Sequence, residues 1–498
     1  MEYKSWREIY ESKLTDAKTV ASTINDGDKI VVACGPGEPY YIEKAIADNY
    51  ENYRDVEITS MMYIGVSPWI DEKMKGHIRH NCMFASPSTR KAIAMGLCDF
   101  TTSHFYEIPT VIRDYIKPRI AITMVSPPDE HGYVSFGTNV DYIKGAIDFA
   151  EIKIAQVNKN MPRTFGNSIK HVREFTYFVE VDTELPGVPS VEITDVEREI
   201  GKNCASLIKD GDCLQLGIGG IPDAVCECLY DKKHLGIHSE MLGDSVVGLI
   251  EAGVVDNSMK QSHPGRTVIS FAFGTEKFNK FIDNNPAVEF HPIDFVNNPT
   301  VIARNDNVVS INSCIQVDLL GQVVSDTVGL NQFSAVGGQV DFVRGATMSK
   351  GGRSIIAMPS TAKNGHISRI VPLIHEGSAI TTPRNDVNYV VTEYGIAQLK
   401  GKNTRERAKE LIKIAHPKFR SLLILEYKRR FNEDPGIEAD RMAVAIAKEK
   451  ISEHRETRDE RREAREERRE EIKEVIEGRR EAREERREER KESRRDKE

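Results

Sequence analysis

The sequence predicts an α/β protein: two related open α/β domains from an internal duplication, followed by a charged C-terminal helix. Three observations predict it. First, ASTINDGDKIVVACG (21–35) matches ASLIKDGDCLQLGIG (205–219) at an offset of 184, sharing Ala, Ser, Ile, Asp-Gly-Asp and the final Gly. Second, VDYIKGA (140–146) matches VDFVRGA (340–346) at an offset of 200. Two matches in the same order argue for a duplicated domain with insertions, and the period is far too long for a solenoid. Third, apolar strands alternate with helical patterns through both halves, as in a largely parallel sheet.

The elements follow in order. In the first half a helix ends at ASTIN, NDGD turns the chain, and KIVVACG is a buried strand running into the loop CGPGEP (34–39). IEKAIADNY has the period of a helix, and RIAITMVS and EIKIAQVN read as further strands. PDEHG (128–132) bunches two acids and a histidine, but its Pro and Gly make it a polar surface turn. ELPGVPS (184–190) interrupts the elements and sets the boundary, giving domains 1–187 and 188–437. In the second half the strand CLQL leads into GIGGIP (217–222) and the helix DAVCECLY. Residues 438–498 form the predicted helical tail, in which RREAREERREE occurs at 461–471 and again at 479–489. Glu and Arg there fall at i, i+3 and i+4, which supports a solvated helix through ion pairs of about 0.2–0.5 kcal/mol each. The tail has no apolar a/d seam, so it is not a conventional coiled coil.

Composition narrows the function. The chain has 498 residues and a net charge of −8, which gives no electrostatic reason to bind nucleic acid. No run of 18 apolar residues occurs, and MEYKSWREIYESKL lacks the apolar core of a secretion signal, so no membrane association and a cytoplasmic location are expected. The eight cysteines are scattered without a CxxC pair and read as reduced, small core residues.

Open α/β domains bind ligands at the carboxyl ends of their strands or in the cleft between halves. The chemistry is expected in the second half, where the glycine loop is richer and GIHSEMLGD (236–244) follows it. Gly217, Gly219 and Gly220 of GIGGIP can present backbone N–H groups to an anion at a helix start, though a tight turn without a ligand fits equally well. GIGGIP is not a dinucleotide fingerprint, and no GxxxxGK[ST] or HExxH occurs. AVGGQVDF (335–342), with Gly337 and Gly338, is a second loop of this kind. Glu240 is open to four readings: surface charge, metal ligand, general base or nucleophile. His238-Ser239-Glu240 matches half of a zinc-deaminase signature, but the PCxxC half is missing, so no metal ligand is assigned. His238 fits a structural role better than a catalytic one. Asp244 is expected to cap the helix SVVGLIEAG, and Gln339 could offer a polar donor if its loop folds over the site.

GIGGIPDAV, GIHSEMLGD, SAVGGQVDFVRGA and TEYGIAQLKGKNTRERAKELIKIAHPKFR (392–420) together resemble the acetyl-CoA hydrolase/transferase family, most of all its 4-hydroxybutyrate CoA-transferase branch. AQVNKNMPRTFGNS (155–168) resembles it too, so the likeness runs from about residue 3 to about residue 431. The tail departs from it. The resemblance implies class I CoA-transferase chemistry, with two related α/β CoA-transferase domains and the site between them. It makes Glu240 the catalytic residue and brings Gly217, Ile218, Gly219, Gly220, Ile221, Gly337, Gly338 and Lys363 to coenzyme A. It implies no permanently bound cofactor, acyl-CoA and short-chain carboxylates as substrates, and a homo-oligomer, dimer or tetramer. An acetyl-CoA hydrolase, or a non-catalytic CoA-binding scaffold, are the alternatives.

Overall fold

The computed structural model describes residues 5–187 and 192–437. The expected charged helix at 438–498 lies outside the described residues, and so do residues 188–190 of the boundary segment ELPGVPS.

The first half is built on a seven-stranded, wholly parallel sheet. Its strands are β1 (Lys29–Val32), β2 (Val56–Ser60), β3 (Ile78–Cys82), β4 (Cys98–Phe100), β5 (Ile120–Val125), β6 (Ile152–Asn158) and β7 (Tyr177–Val181), in the order β7-β6-β5-β1-β2-β3-β4. Such sheets are covered on both faces, which is why β1 and β5 read as continuous apolar runs. Every residue of β5 is buried, as are Ile30, Val31 and Val32 of β1. The order reverses between β1 and β5, so their carboxyl ends flank a crevice. CGPGEP leaves β1 at that crevice and feeds the helix Tyr40–Asp48.

The second half carries a six-stranded sheet of β8 (Cys213–Gln215), β9 (Gly236–Ile237), β10 (Val308–Asn312), β11 (Arg353–Ala357), β12 (Tyr389–Thr392) and β13 (Gly395–Gln398), in the order β9-β8-β10-β11-β12-β13. All its pairs are parallel except β12 with β13. Here the order reverses between β8 and β10, and GIGGIP leaves β8 at that point. The repeated segments therefore occupy equivalent places in the two sheets.

The halves are joined through a shared interior. The short strand Phe165–Gly166 of the first half pairs in parallel with Val288–Phe290 of the second, which pairs in turn with Thr267–Ile269. Val140 N–H donates to the Ser270 carbonyl (3.1 Å), Ala272 N–H to Thr138 (2.8 Å) and Ile293 N–H to Asp141 (3.1 Å). The largest apolar cluster runs through both halves, taking in Val140 and Phe136 with Ile269 and Phe290. Phe105 and Phe271 meet across the junction at 6.3 Å and 62°. Among the described residues no helix is long and apolar enough to cross a membrane. All eight cysteines are free, six of them buried, as expected of core residues. PDEHG is a surface turn in which Asp129 accepts from the His131 and Tyr133 N–H groups (2.9 and 2.8 Å).

Candidate active site

GIHSEMLGD runs from β9 into a short strand, Met241–Leu242, and then the helix Asp244–Glu251. The Ser239 hydroxyl donates to the Leu216 carbonyl (2.9 Å) and accepts from the Leu216 N–H (3.3 Å), so this segment is tied to the strand end that becomes GIGGIP. A Cβ on Gly243 would stand 3.0 Å from Ile218 Cγ2, so the two loops are in contact. The Glu240 carbonyl accepts from the Ser270 and Phe271 N–H groups (3.0 and 3.2 Å), which fixes its backbone.

The Glu240 side chain is half-buried and faces the start of the helix Gln339–Met348. Its Oε2 accepts from Asn297 Nδ2 (2.8 Å), and the carboxylate also accepts from the Gly338 N–H. Desolvation pushes its pKa up to about 7, against the pull of these two donors, and the negative charge of Asp141 adds to the rise. A Cβ on Gly338 would lie 1.9 Å from Glu240 Oε2 and 2.3 Å from Asn297 Nδ2, so no side chain fits there. That close approach is the reason for glycine at 338. At Gly219 the reason is different: φ is +111°, a conformation L residues rarely adopt, at the turn into the helix Gly220–Glu227.

Two aspartates flank the glutamate, and they are the equivalent positions of the second repeat. Asp341 of VDFVRGA is 1% exposed. It accepts from the Tyr106 N–H of the first half (3.2 Å) and more weakly from Asn297 Nδ2 (3.4 Å), and His104 Nδ1 lies 3.7 Å from its Oδ1. Burial, then the neighbouring Glu240, push its pKa up to about 8. Asp141 of VDYIKGA is likewise buried and accepts from Asn139 Nδ2 and the Ile143 N–H (3.1 Å each), and desolvation pushes its pKa up to about 6. The duplication thus supplies one aspartate from each half whose charge bears on a single glutamate. Asn297 is fully buried, and its amide must turn its NH₂ toward these acids, since the carbonyl would be repelled.

Other expectations meet the structure differently. His238 is fully buried, and its Nε2 bonds the Val296 carbonyl (2.8 Å) rather than Glu240. Desolvation lowers its pKa to about 3, so it is a neutral positioning group. Asp244 does not cap its own helix. The N-cap is Gly243, with no side-chain cap bond, and Asp244 instead accepts from the Thr275 N–H (3.0 Å) and hydroxyl (2.6 Å), because a first-turn side chain here points toward the neighbouring loop. Gln339 donates to Thr382 Oγ1 (3.1 Å), away from Glu240, because it too lies inside the first turn of its helix. Lys363 stands exposed at the tip of the hairpin that pairs Thr361–Ala362 with Ile367–Ser368. Gly217 to Ile221 are half-buried beside the Glu240 segment, and Gly337 packs near Phe84 of the first half. Sequence reasoning missed Asn297 as a site residue: nothing in IDFVNNP marks it. It also missed the roles of Asp141 and Asp341, although the repeat had already singled both out.

Two related α/β halves with an ionisable glutamate at their junction define a class that the comparisons identify. The family model for the acetyl-CoA hydrolase/transferase N-terminal domain matches residues 1–192, and that for the C-terminal domain matches residues 274–427. The chain belongs to the acetyl-CoA hydrolase/transferase family. It is 52% identical to a 4-hydroxybutyrate coenzyme A transferase of Clostridium kluyveri, over 86% of this chain and 100% of that one. It is 44% identical to a succinyl-CoA:cyclohexane-1-carboxylate CoA transferase of Geobacter metallireducens, over 86% and 98%. The solved structure of RipA from Yersinia pestis superposes with a TM-score of 0.82 at 37% identity, over 86% of this chain and 99% of that one. More particularly, the chain is an enzyme of the CoA-transferase kind.

Proposed function

We propose that this protein moves coenzyme A between short-chain carboxylic acids, with Glu240 as the nucleophile and with 4-hydroxybutyrate, butyrate and acetate as the class of acids. The observation that carries the reading is the Glu240 carboxylate itself: half-buried, desolvated, and held by Asn297 and the Gly338 N–H at the junction of the halves.

The chemistry runs by covalent catalysis. The Glu240 carboxylate attacks the thioester carbonyl of the donor acyl-CoA, the C–S bond breaks, and an acyl-glutamyl anhydride and CoA thiolate form. The thiolate attacks the glutamyl carbonyl, giving a glutamyl-CoA thioester and the donor carboxylate. The acceptor carboxylate attacks that thioester, expelling the thiolate and leaving a new anhydride. The thiolate then attacks the acceptor's acyl carbon, and Glu240 returns as a carboxylate. Each step exchanges one anion for another, so no proton need be moved. A site of buried acids with limited access to water suits this, because water reaching the anhydride or thioester would make the enzyme a hydrolase. Backbone N–H groups of Gly217 to Ile221 and of Gly337-Gly338 are assigned to coenzyme A and to the tetrahedral oxyanions, each such donor being commonly worth about 3 kcal/mol. Lys363, exposed at its hairpin tip, is assigned to the CoA phosphates.

The test is chemical trapping. The protein is incubated with a short acyl-CoA and then reduced with borohydride. We expect a mass change at Glu240 that is absent from Glu240→Ala, and CoA release that depends on an acceptor acid. An unmodified Glu240 in a protein with normal transfer activity sinks the mechanism, and acceptor-independent release favours the hydrolase.

A further inference from the structure

We propose that His263, Glu289 and His291 form a binding site for a borderline divalent metal ion, zinc above all, outside the Glu240 site. His263 Nδ1 lies 2.5 Å from Glu289 Oε2, and His291 Nε2 lies 3.1 Å from the same oxygen. The three donor atoms all fall within 4.8 Å of one another. A zinc ion holds nitrogen at about 2.0–2.1 Å and carboxylate oxygen at about 2.0–2.2 Å, so small side-chain rotations bring all three into one sphere. Two imidazoles and one carboxylate make a donor set suited to zinc, cobalt or nickel, whereas magnesium and calcium prefer oxygen.

The surroundings hold the donors in place. Phe295 packs against both rings, at 5.6 Å from His263 and 5.0 Å from His291. The His263 backbone sits in the left-handed region (φ +52°), a costly conformation for histidine, and its loop is fixed from both sides. Ser262 N–H donates to Asn305 Oδ1 (2.9 Å), and Gly265 N–H to the Asn257 carbonyl (2.9 Å). On the other side, His291 N–H donates to the Ile269 carbonyl (2.9 Å). The three side chains are 15–29% exposed, which leaves a path for an ion and for water as a further ligand. Arg266 Nε, 3.6 Å from Glu289 Oε1, competes only for the other carboxylate oxygen.

The location gives the site a consequence. His291 opens the segment that runs through the helix Ile293–Val296 to Asn297, the residue that donates to Glu240. A metal bridging His263 to Glu289 and His291 clamps the loop 262–266 to the root of that segment, so the ion acts as a structural brace on the short helix that leads to Asn297.

The test uses the full chain, stripped with a chelator and then titrated with Zn²⁺ by calorimetry and with Co²⁺ by its visible absorption. We expect one equivalent more metal on the wild type than on His263→Ala/His291→Ala, with Co²⁺ bands that vanish in that variant and no binding of Mg²⁺ or Ca²⁺. Glu289→Gln, which keeps the shape, weakens Zn²⁺ by at least about tenfold, the loss typical of removing even an outer partner of a ligand. Should the histidine variants fold poorly, the wild type alone decides: Zn²⁺ protects His263 and His291 from diethylpyrocarbonate. Equal stoichiometry in wild type and double variant, or modification of both histidines unchanged by Zn²⁺, overturns the proposal.

Discussion

As the proposed nucleophile, Glu240 needs its negative charge, and burial makes that charge costly. With its pKa raised to about 7, kcat/KM should climb with pH and reach half its plateau near pH 7, because the inactive protonated form dominates below. The two flanking aspartates make a discriminating pair. Asp141, at about 6, is already ionised when Glu240 titrates, and it repels the second charge. Asp341, at about 8, still holds its proton at that point. Asp141→Asn therefore moves the acid limb to lower pH, while Asp341→Asn leaves it in place. A pH–rate profile of each variant checks this, and equal shifts in both contradict it. Asn297→Ala acts in the opposite sense. It removes a bond to a charged group, worth about 1.5–3 kcal/mol, so the limb moves up by roughly one to two pH units. Activity at pH 7 falls accordingly, while activity at high pH recovers part of the loss.

At the scale of single elements, the two turns beside Glu240 are fixed for different reasons. The turn before the helix Gln339–Met348 brings its backbone against the carboxylate, and Gly338→Ala drives a methyl group into Glu240 and Asn297. We expect loss of transfer activity of at least about a hundredfold, the scale of losing a backbone donor at a charged centre, with the melting temperature nearly unchanged because the helix keeps its other contacts. Activity and thermal melts together check this: wild-type activity would refute the close approach, and a collapsed melt would assign the glycine to folding instead. The apolar runs located β1, β5, β6 and β8 and the helices beside them, while most of the other strands went unmarked. They could not say that Asp244 and Gln339 face neighbouring loops, because the direction of a first-turn side chain depends on what packs beside it.

At the scale of the molecule, the two described halves exchange structure. The strand Phe165–Gly166 belongs by sequence to the first half and by hydrogen bonding to the second. Phe105 and Phe271 seal the junction, and backbone bonds from residues 140, 272 and 293 cross it. A chain cut by a protease site placed between residues 187 and 192 should therefore elute as a single particle and keep its activity. Phe105→Ala should cost about 3–5 kcal/mol and lower the melting temperature of both halves together. Gel filtration and calorimetry check these outcomes, and two separated halves or two independent transitions would show that the shared core does not couple them.

The sequence by itself determined the α/β class, the duplication, the strand and helix pattern and the family, because those rest on local periodicity and on motifs that are contiguous in the chain. It also singled out Glu240 through its motif, and the repeat matched VDYIKGA to VDFVRGA without giving their aspartates a role. Only the tertiary structure decided that the two aspartates flank the glutamate, that Asn297 reaches it from 57 residues away, and that His238 turns from it to Val296. It also gathered His263, Glu289 and His291, which the sequence offers only as an E-x-H and a distant histidine. The reason is physical: pairing between strands far apart in the chain and packing between halves set which side chains meet, and neither leaves a periodic trace in the sequence.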